Sequence, residues 1–261
     1  VLNLGLNDRT VEVLARKTGN PRFAYDSYRR FIQMFGNVVM EISKGDFEHI
    51  FDGRKKKRKV KMDTDLTADD LKAVVSGYKK LIRSKKKMGF PQDPIQQLKM
   101  SQEAVFRSWY NQRAVTYRRL NKIPDDLGTA VNVQAMVFGN AGTNSATGVS
   151  FTRNPSTGER EPFGEYIPDA QGDDIVSGIR TPLPLTSSGT GLSLEESMPT
   201  AYRELCAAFE ILERHAGAMQ DVEFTIERGK LWLLQTRAGI TSTEAALKIA
   251  VDMEAEGLLS R

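Results

Sequence analysis

Hydrophobic positions recur at two different periods along the 261-residue chain, and the change of period divides it. Over residues 10–42 they come at three- and four-residue steps, the repeat of a helix face. Val11, Leu14 and Ala15 share the first face, which "TGNP" closes. Tyr25, Tyr28, Phe31, Ile32, Phe35, Val38, Val39 and Ile42 mark a long amphipathic helix, whose aromatic stripe reads as core packing. Leu71, Val74, Val75, Tyr78 and Leu81 line a helix starting near Thr67, with Asp70 completing a shortened capping box. "FPQDP" then breaks the chain. Asp93 is a good N-cap and Pro94 fits the first helical position, so helices are expected through Trp109 and again through Leu120.

Near residue 129 the period drops to two. "TAVNVQAMVF" sets Val131, Val133, Ala135 and Val137 on one side and Asn132, Gln134 and Met136 on the other, which predicts a strand with one polar face. "GNAGTNSATG" reads as a loop rich in glycine and hydroxyl groups, "GVSFTRNPSTGE" as a strand and turn, and "FGEYIPDA" as another strand. "LTSSGTGLS" reads as a flexible surface loop. A helix is expected over 198–216, then a hairpin over 221–237. A last helix from about Ser242 has no obvious partner and points toward a further domain. No internal repeat is visible.

Forty per cent hydrophobic residues is enough for a packed core. With 37 basic and 33 acidic residues the surface is mixed in sign, unlike that of a dedicated nucleic-acid binder. Two lysine-rich runs keep a basic nucleic-acid-binding module as an alternative. "GRKKKRKVK" holds seven basic residues in eight over 54–61, and matches a nuclear-localisation tract or a phosphate patch as well as a solvated loop between helices. It lacks interleaved aromatics, and the loop is the expected reading. "KKLIRSKKK" ends a helix, where lysines complement the macrodipole without a ligand. Cys206 is the only cysteine, which excludes an intramolecular disulfide, and its setting in "ELCAAFEIL" reads as a buried structural thiol. No apolar run approaches the ~20 residues that span a bilayer, and no signal peptide is visible. The chain opens on Val1 inside an apolar segment, so a fragment lacking earlier residues is expected.

The hairpin carries the candidate chemistry. Residues two apart on a strand share a face, so Asp221, Glu223 and Thr225 point one way and Val222, Phe224 and Ile226 point into the core. On the second strand Leu231, Leu233, Gln235 and Arg237 are expected to share a face. A three-residue turn at Arg228-Gly229-Lys230 makes paired numbers sum to 458, setting Glu223 opposite Gln235 and Asp221 opposite Arg237. A two-residue turn would flip one strand and scatter the cluster. A carboxylate facing a carboxamide offers hard oxygens suited to Mg²⁺, which keeps waters and takes its remaining ligands from phosphates. Asp221 can accept hydrogen bonds or hold a second metal, and Arg237 can clamp a phosphate through its planar fork. The competing reading is an exposed hairpin with a cross-strand ion pair. In "GTNSATG", Thr143, Ser145 and Thr147 stand beside two glycines, and backbone N–H groups of such loops can cradle phosphates.

Long stretches of the chain, among them "NPRFAYDSYRRFIQMFGNVVMEI", "DTDLTADDL", "FPQDP", "GTAVNVQAMVFGN", "TGVSFTRNPSTGE", "GEYIPDAQGDD" and "MQDVEFTIERGKLWLLQTR", resemble the nucleotide-binding domain of the pyruvate phosphate dikinase family. The resemblance implies an α+β fold of ATP-grasp lobes holding ATP, with a mainly helical inserted subdomain. It implies the end of the first lobe's opening segment at 1–6, the helical insertion at 7–93 and the remainder of the first lobe at 94–137. The second lobe, with the Mg-ATP hairpin, follows at 138–239, and a linker helix toward a phosphohistidine domain at 240–261. Carried over, Asp221, Glu223 and Gln235 act on Mg²⁺ and the ATP phosphates, and Arg237 contacts phosphate. Thr147 and Gly148 belong to the phosphate loop, Gln134 and Met136 to the adenine hinge, and Glu165 and Asp174 are further nucleotide-site candidates. The implied reaction converts ATP, phosphate and pyruvate to AMP, pyrophosphate and phosphoenolpyruvate. It runs through a histidine on a swivelling domain of the same longer chain, in a homodimer of the cytoplasm or an organelle lumen. Neither His49 nor His215 matches that histidine's motif, and the family's early ATP-binding lysine and arginine precede Val1, so turnover by this chain alone is not expected. A related dikinase acting with water, such as a phosphoenolpyruvate synthase, is the nearer alternative. "FTRNPSTGE" and the hairpin favour the phosphate-dependent family.

Overall fold

A computed structural model describes residues 1–178, 180–187, 189 and 192–259. The chain divides into two units, Val1–Met136 and Val137–Arg261. In the first, all regular structure among the described residues is helical. Its helices are α1 (Asp8–Thr18), α2 (Pro21–Met34), α3 (Lys44–Arg58), α4 (Ala68–Lys86), α5 (Pro94–Ser108) and α6 (Gln112–Leu120). The ends follow local chemistry. Asn7 caps α1 by accepting from the N–H groups of Arg9 and Thr10, and Gly19 closes it in the left-handed conformation. Thr67 and Asp70 cap α4 reciprocally, and Asp93 precedes Pro94 at the start of α5. The aromatic stripe of α2 is core: Tyr28, Phe31, Ile32 and Phe35 are buried, and Phe31 meets Phe35 and Phe90 edge-on. The expected long helix loses its α-helical repeat after Met34, where a π-turn runs over Phe35–Val39. Gly36 is required there, since a Cβ would lie 2.3 Å from the ring of Phe47.

Two expectations for this unit fail. The tract over 54–61 is not a loop for most of its length, because α3 continues to Arg58. Only Phe47 and Phe51 of α3 are buried, too few to show a period in the sequence. Arg54 and Arg58 both reach the buried Asp70 of α4, and Lys55 reaches Asp63, so much of the tract is internally neutralised. The predicted strand at 129–138 is absent. That segment pairs with no other strand among the described residues, and Val133 is 60% exposed. Alternation marks a segment that can join a sheet, but a strand exists only where a neighbour completes the ladder.

The second unit is a five-stranded antiparallel sheet with helices. In chain order it runs β1 (Ala146–Phe151), β2 (Phe163–Pro168), α7 (Gly172–Ser177), β3 (Leu183–Pro184), α8 (Leu194–Ser197), α9 (Pro199–Ala216), β4 (Gln220–Glu227), β5 (Lys230–Ala238) and α10 (Thr243–Ala255). The spatial order is β3-β2-β1-β4-β5. One sheet face, carrying Tyr166, Val222, Phe224 and Ile226, packs on Ala201, Leu205 and Phe209 of α9. Gly148 of β1 lies on this face beneath the Phe224 ring, which a Cβ would approach to 2.1 Å. Part of the expected "LTSSGTGLS" loop, at Ser188, Thr190 and Gly191, lies outside the described residues. The last helix, expected to lack a partner, has one: Ala245, Ile249 and Met253 pack with Met219 and Phe151. Cys206 is half-buried, with burial raising its thiol pKa.

Candidate functional site

β4 and β5 form the expected hairpin, but by a different turn. Arg228 (φ 52°) and Gly229 (φ 83°) are both left-handed, the mark of a two-residue turn, so Glu227 faces Lys230. Paired numbers sum to 457 from there to Phe224 and Leu233. Leu234 then stands unpaired in a β-bulge, and from Glu223 and Gln235 onward the sum is 458. The two-residue turn alone would have scattered the cluster, and the bulge restores it. It also changes which residues share a face. Leu231 and Leu233 oppose Ile226 and Phe224 on the core face, whereas Gln235 and Arg237 oppose Glu223 and Asp221 on the other.

The turn is held from outside the hairpin. The Arg228 N–H donates to Ser145 Oγ at 3.0 Å, and the Gly229 N–H donates to the Asn144 carbonyl at 2.7 Å. Asn144 and Ser145 belong to the glycine-rich loop, so two of its polar groups serve the hairpin. Thr147 is buried on the same sheet face as Thr225 and Glu223, and its hydroxyl donates to the Phe224 carbonyl at 3.3 Å. Thr147 and Gly148 stand in β1 rather than in the loop. Nothing in the sequence marked Ser145 as the residue that pins the turn, since its partner is 83 positions away.

Across the sheet, Glu165, Val149, Glu223 and Gln235 form one row, and Phe163, Phe151, Asp221 and Arg237 form the next on the same face. Glu165 is thus two strands from Glu223, roughly 10 Å at the usual strand spacing. Arg237 donates to Asp221 Oδ2 through Nε and Nη2, both at 2.7 Å. Its side chain is 64% exposed, that of Asp221 14%. The cross-strand ion pair is therefore real, and it coexists with an exposed Glu223 opposite an exposed Gln235. Asp174 lies off this face, at the start of α7, where it accepts from the Gln171 N–H at 3.0 Å in a reciprocal cap. Gln134 and Met136 lie in the first unit. Gln134 is exposed and accepts from Asn132, and the Met136 sulfur accepts from the Asn3 N–H.

A family model described as the AMP/ATP-binding domain of pyruvate phosphate dikinase matches residues 1–197 and 186–258. The chain belongs to this family. Among curated relatives, it is 55% identical over 261 residues to a pyruvate, phosphate dikinase of Clostridium symbiosum, covering 100% of this chain and 29% of that protein. It is 54% identical over 267 residues to one of Rhizobium meliloti (strain 1021), covering 100% of the chain and 30% of the relative. A chloroplastic pyruvate, phosphate dikinase of Mesembryanthemum crystallinum is 52% identical over 259 residues, covering 99% of the chain and 27% of the relative. The chain spans about three-tenths of the length of these relatives.

For a pyruvate phosphate dikinase domain the donor set at the hairpin fits Mg²⁺. Among the described residues no group of three or more His, Cys, Asp or Glu is placed to enclose a metal. A carboxylate and a carboxamide facing each other on an exposed face instead suit an ion that keeps waters and shares phosphate oxygens. Both histidines are exposed on helices, His49 on α3 and His215 in the last turn of α9. Among the described residues no helix is long and apolar enough to cross a membrane.

Proposed function

We propose that this chain is the ATP-binding part of a pyruvate, phosphate dikinase, built as ATP-grasp lobes, and that its hairpin face receives the phosphates of Mg-ATP. The observation that carries the reading is Glu223 opposite Gln235 beside the Asp221–Arg237 pair, in a chain matched to the AMP/ATP-binding family over nearly its whole length. Glu223 and Gln235 would hold Mg²⁺, with Asp221 adjacent. Bound there, Mg²⁺ would neutralise charge on the phosphate oxygens. Arg237 would turn part of its exposed fork to a phosphate while Asp221 fixes its stem. Glu165, on the same row, would face the nucleotide side of the sheet. Thr147 and Gly148 would shape the floor under the phosphates, and Asp174 would support the adjoining α7.

In the longer protein the pyrophosphoryl group of ATP would pass to a histidine on a swivelling domain. The overall reaction would convert ATP, phosphate and pyruvate to AMP, pyrophosphate and phosphoenolpyruvate. That protein would be a homodimer of the cytoplasm or an organelle lumen. Calorimetric titration of the chain with ATP, with and without Mg²⁺, tests the binding step. Metal-dependent binding that Glu223→Gln weakens at least tenfold is expected. Equal binding by the two proteins would refute the role of the hairpin.

A further inference from the structure

Among the described residues the largest fully buried side chain is a cation. Arg153, in the "FTRNP" segment after β1, is 0% exposed. Burial alone works against its charge, but hydrogen bonds to Glu256 and Glu213 outweigh it and hold the guanidinium protonated. Nε and Nη2 donate to Glu213 of α9 at 3.0 and 2.9 Å. Nη1 and Nη2 donate to Glu256, just past α10, at 3.1 and 2.7 Å. One planar fork therefore joins two helices, an arrangement that a lysine cannot reproduce.

Glu213 does not end the series. Its Oε1 accepts from the Thr152 hydroxyl at 2.6 Å. That hydroxyl oxygen accepts from the Gln220 N–H at 3.0 Å, and the Thr152 N–H donates back to the Gln220 carbonyl at 3.0 Å. Gln220 is the first residue of β4, next to Asp221, and its side-chain oxygen accepts from Thr236 of β5 at 2.9 Å. Arg153, Glu213, Thr152 and Gln220 are buried, so any of these groups left without its partner would lack water as a substitute, whereas Glu256 and Thr236 stand at the exposed ends of the series.

We propose that Arg153 is a positioning residue. Through Glu213 and Thr152 it fixes the end of β4 that carries Asp221, and through Glu256 it makes that fixing depend on docking of α10. The consequence for nucleotide binding rests on the proposed function, whereas the coupling itself does not. α10 is the element by which a following segment could loosen or brace the hairpin.

Hydrogen exchange on the full chain tests this, comparing wild type with Glu256→Gln, which removes the charge on the helix side, where Arg160 also pairs at 3.8 Å, and with Arg153→Lys, which keeps the charge and loses the fork. Exchange at Gln220 and its neighbours in β4 should quicken by about fivefold or more in both variants, while Val149 and Tyr166 in the β1–β2 ladder stay unchanged. Quickening confined to α10, equal quickening everywhere, or no change would each overturn the coupling. Mg-ATP titration is the second measurement. Several-fold weaker binding by Glu256→Gln is expected, and binding unchanged despite faster exchange at Gln220 would show that the junction does not position the site. If wild type binds no Mg-ATP, the site reading fails while the exchange result still decides the coupling.

Discussion

Glu223 stands where no structural need explains it. It lies on the open face of a strand whose other face fills the core, opposite an amide, with Arg237 of the facing strand bonded to its neighbour Asp221. In the longer dikinase, Glu223→Ala should slow pyrophosphoryl transfer from ATP by about 10²–10³-fold, the usual effect of deleting one electrostatic contact to a transition state. Exchange between pyruvate and phosphoenolpyruvate should continue in the same folded variant. Gly148 makes the opposite kind of statement. Its place in a family motif invites a phosphate-binding role, yet the Phe224 ring occupies the space a Cβ would take. Gly148→Ala should destabilise the unit by about 1–3 kcal/mol through overpacking, and Phe224→Leu in the same chain should recover part of that loss. Denaturant titration of the wild type and the two variants measures both effects.

The hairpin shows how far an element can be read from its sequence. The facing of Glu223 with Gln235 was legible, because alternation and a Gly at the turn leave few registers. The route to it was not. A bulge leaves no compositional trace, and the decision between a three-residue turn and a tight turn lies with Asn144 and Ser145, far away in sequence. The bulge makes a sharp prediction. Deleting Leu234 should leave Glu223 opposite Gln235 in a regular ladder and preserve Mg-dependent ATP binding. Inserting one residue after Leu234 should turn Gln235 and Arg237 to the core face and abolish it. The missed α3 and the unformed strand at 129–138 fail for the same reason in opposite directions. One has too few apolar residues to show its period, and the other has the period without a partner. α10 was legible to its cap, Ser242, but its packing on Met219 was not. Its docking should depend on acidity. Glu256 is held below its ordinary carboxylate range, chiefly by hydrogen bonds from Arg153. The stabilisation is therefore present above the unfolded value of about 4.3 and is lost as pH falls through the lower folded value. Acid titration of α10 exchange should show that loss in wild type and not in Glu256→Gln.

At the scale of the whole molecule, the candidate nucleophiles matter as much as the site. α9, with His215 in its last turn, packs on the core face of the sheet, opposite the hairpin carboxylates. Incubation with labelled ATP and Mg²⁺ should leave no stable label on His215 or His49, and label on either would refute the need for a separate histidine domain. The charge of the first unit has a consequence of its own. α3 and α4 lie antiparallel, since Arg54 and Arg58 near the end of α3 meet Asp70 near the start of α4, while Lys85 near the end of α4 meets Asp46 near the start of α3. The two lysine-rich runs, which sum to an impressive total on paper, therefore emerge at opposite ends of a helix pair. Their near ends, level with Asp46 and Arg54 of α3, are about 12 Å apart, and only the far tips, a fifteen-residue helix apart at about 22 Å, exceed two screening lengths at physiological ionic strength. The two tips are therefore largely screened from each other. A phosphate resin or a nucleic-acid strand would meet two weak cationic tips rather than one strong field, and elution at modest salt is the behaviour to expect.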